Sequence, residues 1–164
     1  MQASTPATNA PAATADLVYG LMRAIMLTPE DDHFKVIEEN DLTVSQVRSL
    51  VMLACKDPEP VAGGRIAERI GASPAAVSRA LDGLVQKGFV ARRESAEDRR
   101  VRLFSITPAG RELAEDLVAL RRAQIDRFLN TLTAEQRDRV HEALTPLASA
   151  GLIPADPTET EETN

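Results

Sequence analysis

Apolar residues return at helical spacing along most of this 164-residue chain. Leu17, Leu21 and Ile25, followed by Phe34 and Ile37, predict a helix over about 15–40, which Pro29 should kink or split. Val47, Leu50, Val51 and Ala54 share one face of a second helix over 44–56. "KDPEPVAGG" then reads as a turn. A third helix covers 62–70, and a fourth covers 74–87 and stops at Gly88. The fifth begins after Thr107 and runs to about 131 with Leu113, Leu117, Leu120, Phe128 and Leu132 on its stripe. The sixth, over 134–150, carries Val140, Leu144, Leu147 and Ala148. Between the fourth and fifth helices the period changes. "FVARRE" and "VRLFSI" mix apolar with charged residues and predict a two-stranded β-hairpin with a charged tip.

The helix starts are marked chemically. "TVSQ" (Thr43 to Gln46) and "TAEQ" (Thr133 to Gln136) are capping boxes, in which a Thr hydroxyl accepts from the third amide and a Gln reaches back. Ser73-Pro74 and Thr107-Pro108 place a capping hydroxyl before a proline whose missing N–H costs nothing at the first helical position. "TPEDD" at 28–32 has the same form.

"GGRIAERIGASPAAVSRALD", residues 63–82, has the pattern of a helix-turn-helix. Ala67 is small at the crossing, and Gly71 suits a left-handed turn. Ile66, Ile70, Val77, Ala80 and Leu81 face inward, which turns Ala75, Arg79, Asp82 and Gln86 outward. The hairpin follows directly, as a wing does. The fold class is therefore mainly α: a winged helix-turn-helix with a two-stranded β-hairpin wing and long terminal helices.

Charge changes the picture more than composition. The net charge is −6, yet residues 65–102 hold nine Lys or Arg against five acids, while the rest holds 10 bases and 20 acids. Five of those arginines fall between Arg92 and Arg102. A basic segment in an acidic chain is the footprint expected of a phosphate-binding surface. Ser73, Ala75, Ala76, Ser78 and Arg79 then become candidates for contact with a DNA major groove, since small residues and one Arg lead the exposed helix face. Asp98, Arg99 and Arg100 at the wing tip become candidates for the adjacent minor groove, with Asp98 holding the Arg100 guanidinium through a bidentate pair.

Composition mainly excludes. The single cysteine, Cys55, leaves no intramolecular disulfide and no cysteine-rich zinc site, and a reducing compartment fits. No apolar run approaches the roughly 20 residues of a membrane span, and the start lacks the basic region of a secretory signal, so a cytoplasmic location is expected. Residues 1–14 and 153–164 read as disordered tails, the second acidic, around one domain at 15–152. Cys55 is expected to be a buried, inert thiol and His33 a surface histidine rather than a metal ligand with Asp31 or Asp32. "HEALT" at 141–145 lacks the second histidine of a zinc protease. No phosphate loop or nucleophile motif is present, which disfavours an enzyme, and nothing calls for a cofactor or metal.

Residues 42–113 resemble the MarR family of winged helix-turn-helix transcription regulators. The likeness rests on "LTVSQVRSL", "RIAERIGASPAAVSRALDGLVQKGFVAR", "DRRVRLFSIT" and "AGREL", and the Asp-x-Arg wing with its Ile-Thr-x-x-Gly ending is its most specific element. With the terminal helices it extends over about 135 residues. The resemblance implies a homodimeric repressor, dimerising through 15–40 and 108–150, with a DNA-binding lobe at 42–107. It implies a partner in double-stranded DNA with a pseudo-palindromic operator, and release by a small, often aromatic, ligand held between dimer helices and lobe. Its wing signature falls on Asp98, Arg99 and Arg100, and its recognition contacts on about Ser73 to Arg79. Thr28-Pro29 interrupts a helix that is often continuous in the family. The rival readings are a winged-helix protein-interaction module without DNA, a redox-responsive regulator using Cys55, and an enzyme of unrecognised type.

Overall fold

The caps read from the sequence set the helix boundaries in the computed structural model, which describes residues 11–26, 32–55, 59–98 and 100–153. The elements are α1 (Pro11–Met26), α2 (Asp32–Glu39), α3 (Val44–Ala54), β1 (Val61–Ala62), α4 (Gly63–Ile70), α5 (Pro74–Gln86), β2 (Val90–Glu94), β3 (Arg102–Ile106), α6 (Pro108–Asn130) and α7 (Ala134–Ser149). Both capping boxes form. Thr43 Oγ1 accepts from the Gln46 amide at 3.3 Å while Gln46 Oε1 accepts from the Thr43 amide at 2.8 Å. Thr133 and Gln136 repeat the exchange at 3.2 and 2.8 Å.

The first predicted helix is split into two, α1 and α2, one of the two outcomes expected of Pro29, and Thr28-Pro29 falls between them in residues 27–31, outside the described residues. α1 begins earlier than expected, at Pro11, a residue suited to the first helical position. The two tails, 1–10 and 154–164, lie outside the described residues as well.

The expected two-stranded hairpin forms from β2 and β3, and a third strand that was not expected joins it. Val61 and Ala62, read as part of a turn, pair antiparallel with Phe104 and Leu103. The order is β1-β3-β2, so β3 is central and the β2–β3 hairpin projects as the wing. A two-residue strand is too short to show alternation, which is why no pattern announced it.

The core forms where α3, α4, α5 and α6 meet this sheet. Leu50, Ile66, Val77, Leu81 and Leu84 have no exposed surface, and Phe104, Val90, Leu113, Ala114 and Leu117 close around them. Each such aliphatic side chain contributes about 1.5–3 kcal/mol by leaving water. α7, by contrast, buries no residue at all.

Two histidine and cysteine expectations fail. His33 is buried, not superficial, because α2 packs on α6. Its Nδ1 stands 3.0 Å from Arg121 Nη2, and Arg121 Nη1 donates to Gln124 Oε1 at 2.7 Å. Among the described residues no group of three or more metal-ligating side chains occurs. Cys55 is only half-buried: α3 ends at Ala54, so the thiol sits at the helix cap rather than under the next turn.

The junction between wing and α6 leaves less room for a Cβ than the site of any other glycine among the described residues. Thr107 donates its hydroxyl to the Gly88 carbonyl at 2.8 Å and accepts from the Gly110 amide at 3.1 Å. The Thr107 amide donates to the Phe89 carbonyl at 3.1 Å. Gly110 is buried there, and a Cβ on it would collide with that same carbonyl oxygen. Gly110→Ala is therefore expected to cost about 1–3 kcal/mol or more, because backbone must move. Gly64→Ala, in open space within α4, should be neutral or slightly stabilising. Urea unfolding of both variants at one protein concentration checks the contrast; equal stabilities would show that the junction yields.

Candidate nucleic-acid interface

α5 is presented by a turn that the sequence dictates. Gly71 adopts φ 62°, ψ 41°, the left-handed conformation that glycine reaches without steric cost. The Ala72 amide returns to the Ala67 carbonyl at 3.1 Å, closing α4. The next helix then starts at Ser73, whose Oγ accepts from the Ala76 amide at 3.3 Å. Val77, Ala80, Leu81 and Leu84 are buried, while Ala75, Arg79 and Gln86 are exposed and Asp82 is half-buried. The inward and outward faces are those derived from helical geometry.

Each predicted contact on α5 has a definite place. Ser73 and Ala75 are exposed at the helix start, and Ala76 is half-buried beside them. Pro74 has no N–H and Ser73 occupies that of Ala76, so Ala75 carries the first-turn amide left to point outward. Ser78 and Arg79 are exposed, one turn further along. Arg79 makes no ion pair or hydrogen bond among the described residues. Its guanidinium, with five donors in a planar fork, is available to an external acceptor.

The wing is a tied hairpin. Val90 pairs with Ile106 and Glu94 with Arg102. Beyond the strands, the Ser95 amide donates to the Val101 carbonyl and the Val101 amide to the Asp98 carbonyl, both at 2.9 Å. Asp98 does not clamp the Arg100 guanidinium as expected. Its Oδ1 accepts instead from the Arg100 backbone amide at 2.8 Å. A carboxylate bonding the amide two residues on is the local geometry that Asp favours in turns, and it competes with a longer reach to the side chain. Asp98 thus shapes the tip and leaves the exposed Arg100 side chain directed by the turn. Arg99 lies outside the described residues.

The two predicted groups converge. Between α4, the start of α5 and β3 lies a cavity of about 480 Å³. Pro74 and Ser78 line it from the helix, Arg100, Val101 and Arg102 from the wing, and Arg65 with Glu68 from α4. Leu81 and Phe104 form its apolar floor. Arg65 and Arg102 were not among the sequence candidates. Both lie within the basic segment, but only the packing of β3 against α4 brings them to the same seat as Ser78 and Arg100. The surplus positive charge of residues 65–102 is in this way carried by α4, α5 and the wing.

A second cavity, of about 430 Å³, lies between the end of α3 and α6. Val51, Ala54, Ala114 and Val118 give it apolar walls, and Cys55, Arg111, Glu115 and Arg122 line it too. Among the described residues no helix is long and apolar enough to cross a membrane.

Comparison with known proteins agrees with this architecture. The sequence profile of the MarR family matches residues 42–101, the span from the start of α3 to the wing tip. The chain is 30% identical over 129 residues to the HTH-type transcriptional repressor MdtR of Bacillus subtilis, which covers 79% of this chain and 82% of that protein. Among solved structures it is similar to RV1404 from Mycobacterium tuberculosis, at 25% identity and a TM-score of 0.67 over 88% of this chain and 98% of that one. It is likewise similar to a MarR-family transcriptional regulator from Silicibacter pomeroyi, at 27% identity and a TM-score of 0.57 over 88% and 95%. A helix-turn-helix closed by Gly71, a hairpin tied at Asp98, and likeness over most of the length of these relatives lead to one placement: the chain belongs to the MarR family of winged helix-turn-helix transcriptional regulators.

Proposed function

We propose that the protein is a homodimeric repressor that binds a pseudo-palindromic operator and is released by a small ligand. The observation that carries the DNA contact is the convergence of Ser78 from α5 with Arg65, Arg100 and Arg102 on one seat. α5 would enter the major groove by its first turns, with Ser73, Ala75, Ala76, Ser78 and Arg79 foremost, and the wing would follow the adjacent minor groove. The name of the Bacillus subtilis relative supports repression rather than activation.

The dimer follows from uncovered apolar surface. Leu17 is 74% exposed and Tyr19 64%, and Val18, Met22, Leu144 and Leu147 are exposed with them on α1 and α7. Large apolar side chains left uncovered on two helices suit an interaction surface, and a second copy of the same helices is its simplest cover. Two-fold symmetry then sets the α5 helices at half-sites about 10 bp apart. The ligand reading is supported by the cavity at the α3–α6 contact, whose volume falls in the usual range of about 300–1,000 Å³ for small-molecule sites. Arg111 and Arg122 suit an anionic group against the apolar walls. α6 leads from this cavity toward α7, so a wedge here would alter the spacing of the two DNA-binding lobes. Cys55 on the same wall makes a thiol-reactive inducer the second reading.

DNA enriched by the full-length protein from a random-sequence pool, then titrated by fluorescence anisotropy, tests the contact. Arg100→Ala should weaken binding and make the salt slope shallower by about one unit if the contact is ionic. Arg79→Ala should relax base preference, at about 1–3 kcal/mol per bidentate contact. Asp98→Ala should weaken binding although it removes a negative charge, whereas Asp98→Asn keeps the turn-forming acceptor and should bind at least as well as wild type. Tighter binding by Asp98→Ala would leave the tip without a shaping role. Sedimentation tests the dimer: the wild type should sediment as a dimer at micromolar concentration, and Leu17→Glu with Leu144→Glu should give a monomer that no longer holds the operator. A dimeric double variant would move the interface elsewhere.

A further inference from the structure

Asp82 and Arg92 form an ion pair between α5 and β2, with Nη1 3.0 Å from Oδ1. The sheet register puts it there. Val90 pairs with Ile106 and Arg92 with Phe104, and cross-strand partners share a face. Val90 and Phe104 are buried in the core. Arg92 therefore belongs to the face that looks at the helices, and Arg93, one residue on, to the opposite face. Arg92 sits where that face leaves the core, and its side chain is 43% exposed, against 41% for Asp82.

Asp82 follows Arg79 by three residues, so the two share a side of α5. A carboxylate on that side repels a polyanion unless it serves something else. β2 leaves α5 through a short turn in which Gly88 takes φ 79°, and β3 ties the hairpin to β1 through Val61–Phe104 and Ala62–Leu103. The ion pair adds a direct side-chain link between β2 and the recognition helix itself. Being half exposed, it contributes little to folding stability.

We propose that Asp82 and Arg92 are positioning residues for operator recognition: their ion pair fixes the wing against α5, so that helix and wing meet the duplex in register. This rests on the DNA-binding reading above. Two other roles are separable from it. Arg92 as a direct phosphate contact would be released from Asp82 in the complex, and Asp82 as a base reader would accept from a cytosine amino group.

The test uses the full-length protein and the duplex that the wild type enriches from a random-sequence pool. Asp82→Asn and Arg92→Ala should each weaken binding by about twofold to fivefold, the range of an exposed ion pair. The salt slope should stay unchanged, because a neutralised pair releases no counterion. Asp82→Ala with Arg92→Ala should be no worse than either single variant, and the exchange Asp82→Arg with Arg92→Asp should recover part of the loss. Melting temperatures should stay near that of the wild type. Equal or tighter binding by Asp82→Asn overturns the inference. So does a slope shallower by about one unit for Arg92→Ala, which assigns it to a phosphate, and so does an altered base preference for Asp82→Asn in a repeated enrichment. A wild-type protein that enriches no sequence fails earlier: it overturns the DNA-binding reading itself and this inference with it.

Discussion

The side chain of Thr107 joins three parts of the molecule that have to agree. Its hydroxyl donates to the carbonyl of Gly88, where α5 has just ended, and accepts from the amide of Gly110, where α6 begins. Its own amide closes on Phe89, at the root of the wing. One residue thus pairs the carbonyl just past the end of α5 with an orphan donor at the start of α6. The absence of a side chain at Gly110 lets the backbone of Phe89 approach closely enough to complete the joint. The orientation of α6 relative to α5 is set here, and with it the relation between the helix-turn-helix and the terminal helices. A family-specific Thr-x-x-Gly spacing has a simple physical reason: the hydroxyl reaches the amide three residues on, and only glycine fits at that place.

Charge is segregated for a related reason. The acids of this chain lie mainly outside residues 65–102, where they oppose association with nucleic acid, and the bases concentrate in α4, α5 and the wing. Within about 10 Å, roughly a Debye length at ordinary salt, a phosphate at the seat near Ser78 responds to Arg65, Arg100 and Arg102 far more than to the net charge of −6. An acidic protein with a basic segment is therefore a coherent object: the segment would attract a polyanion, and the acidic remainder would limit how it binds.

Much of this is legible in the sequence. Capping hydroxyls announce themselves because the geometry that satisfies them is local, as at Thr43, Ser73, Thr107 and Thr133. The inward face of α5 was legible because a helix has one period. What failed to show was non-local or at an end. β1 has two residues and exists only through its partner β3. His33 looked superficial among acids, but its burial depends on Arg121, 88 residues away. Cys55 lay on an apolar stripe that stops one residue before it. For Asp98 the spacing points to the correct partner residue and the wrong atom. A sequence places Arg100 within reach, but the competition between its amide and its guanidinium is decided by the turn.

The remaining joints share one chemistry, and it suits a chain with only 3% aromatic residues and no Trp. Arg48 of α3 donates to the carbonyl of Ile70, the last residue of α4. Arg111 of α6 donates to Ala54, the last residue of α3, at 3.3 Å. Lys87, capping α5, donates at 3.0 Å to Asn40, just past α2. Arg137 of α7 donates to Leu132, just past α6, at 2.6 Å. In each case a cation from one helix meets unsatisfied carbonyls at or just beyond the negative end of another, an arrangement worth about 0.3–1 kcal/mol, and more where it is partly buried. Long basic side chains carry their apolar stems across the helix contacts and their charge to the ends. The end of α3, where Arg111 makes such a bond, is also where the 430 Å³ cavity opens, with Arg111 on its wall. A molecule that drew the guanidinium of Arg111 toward itself would loosen the contact between α3 and α6. A ligand there would therefore act on the same joint that sets the lobe against the long helix, with no separate route needed between the two.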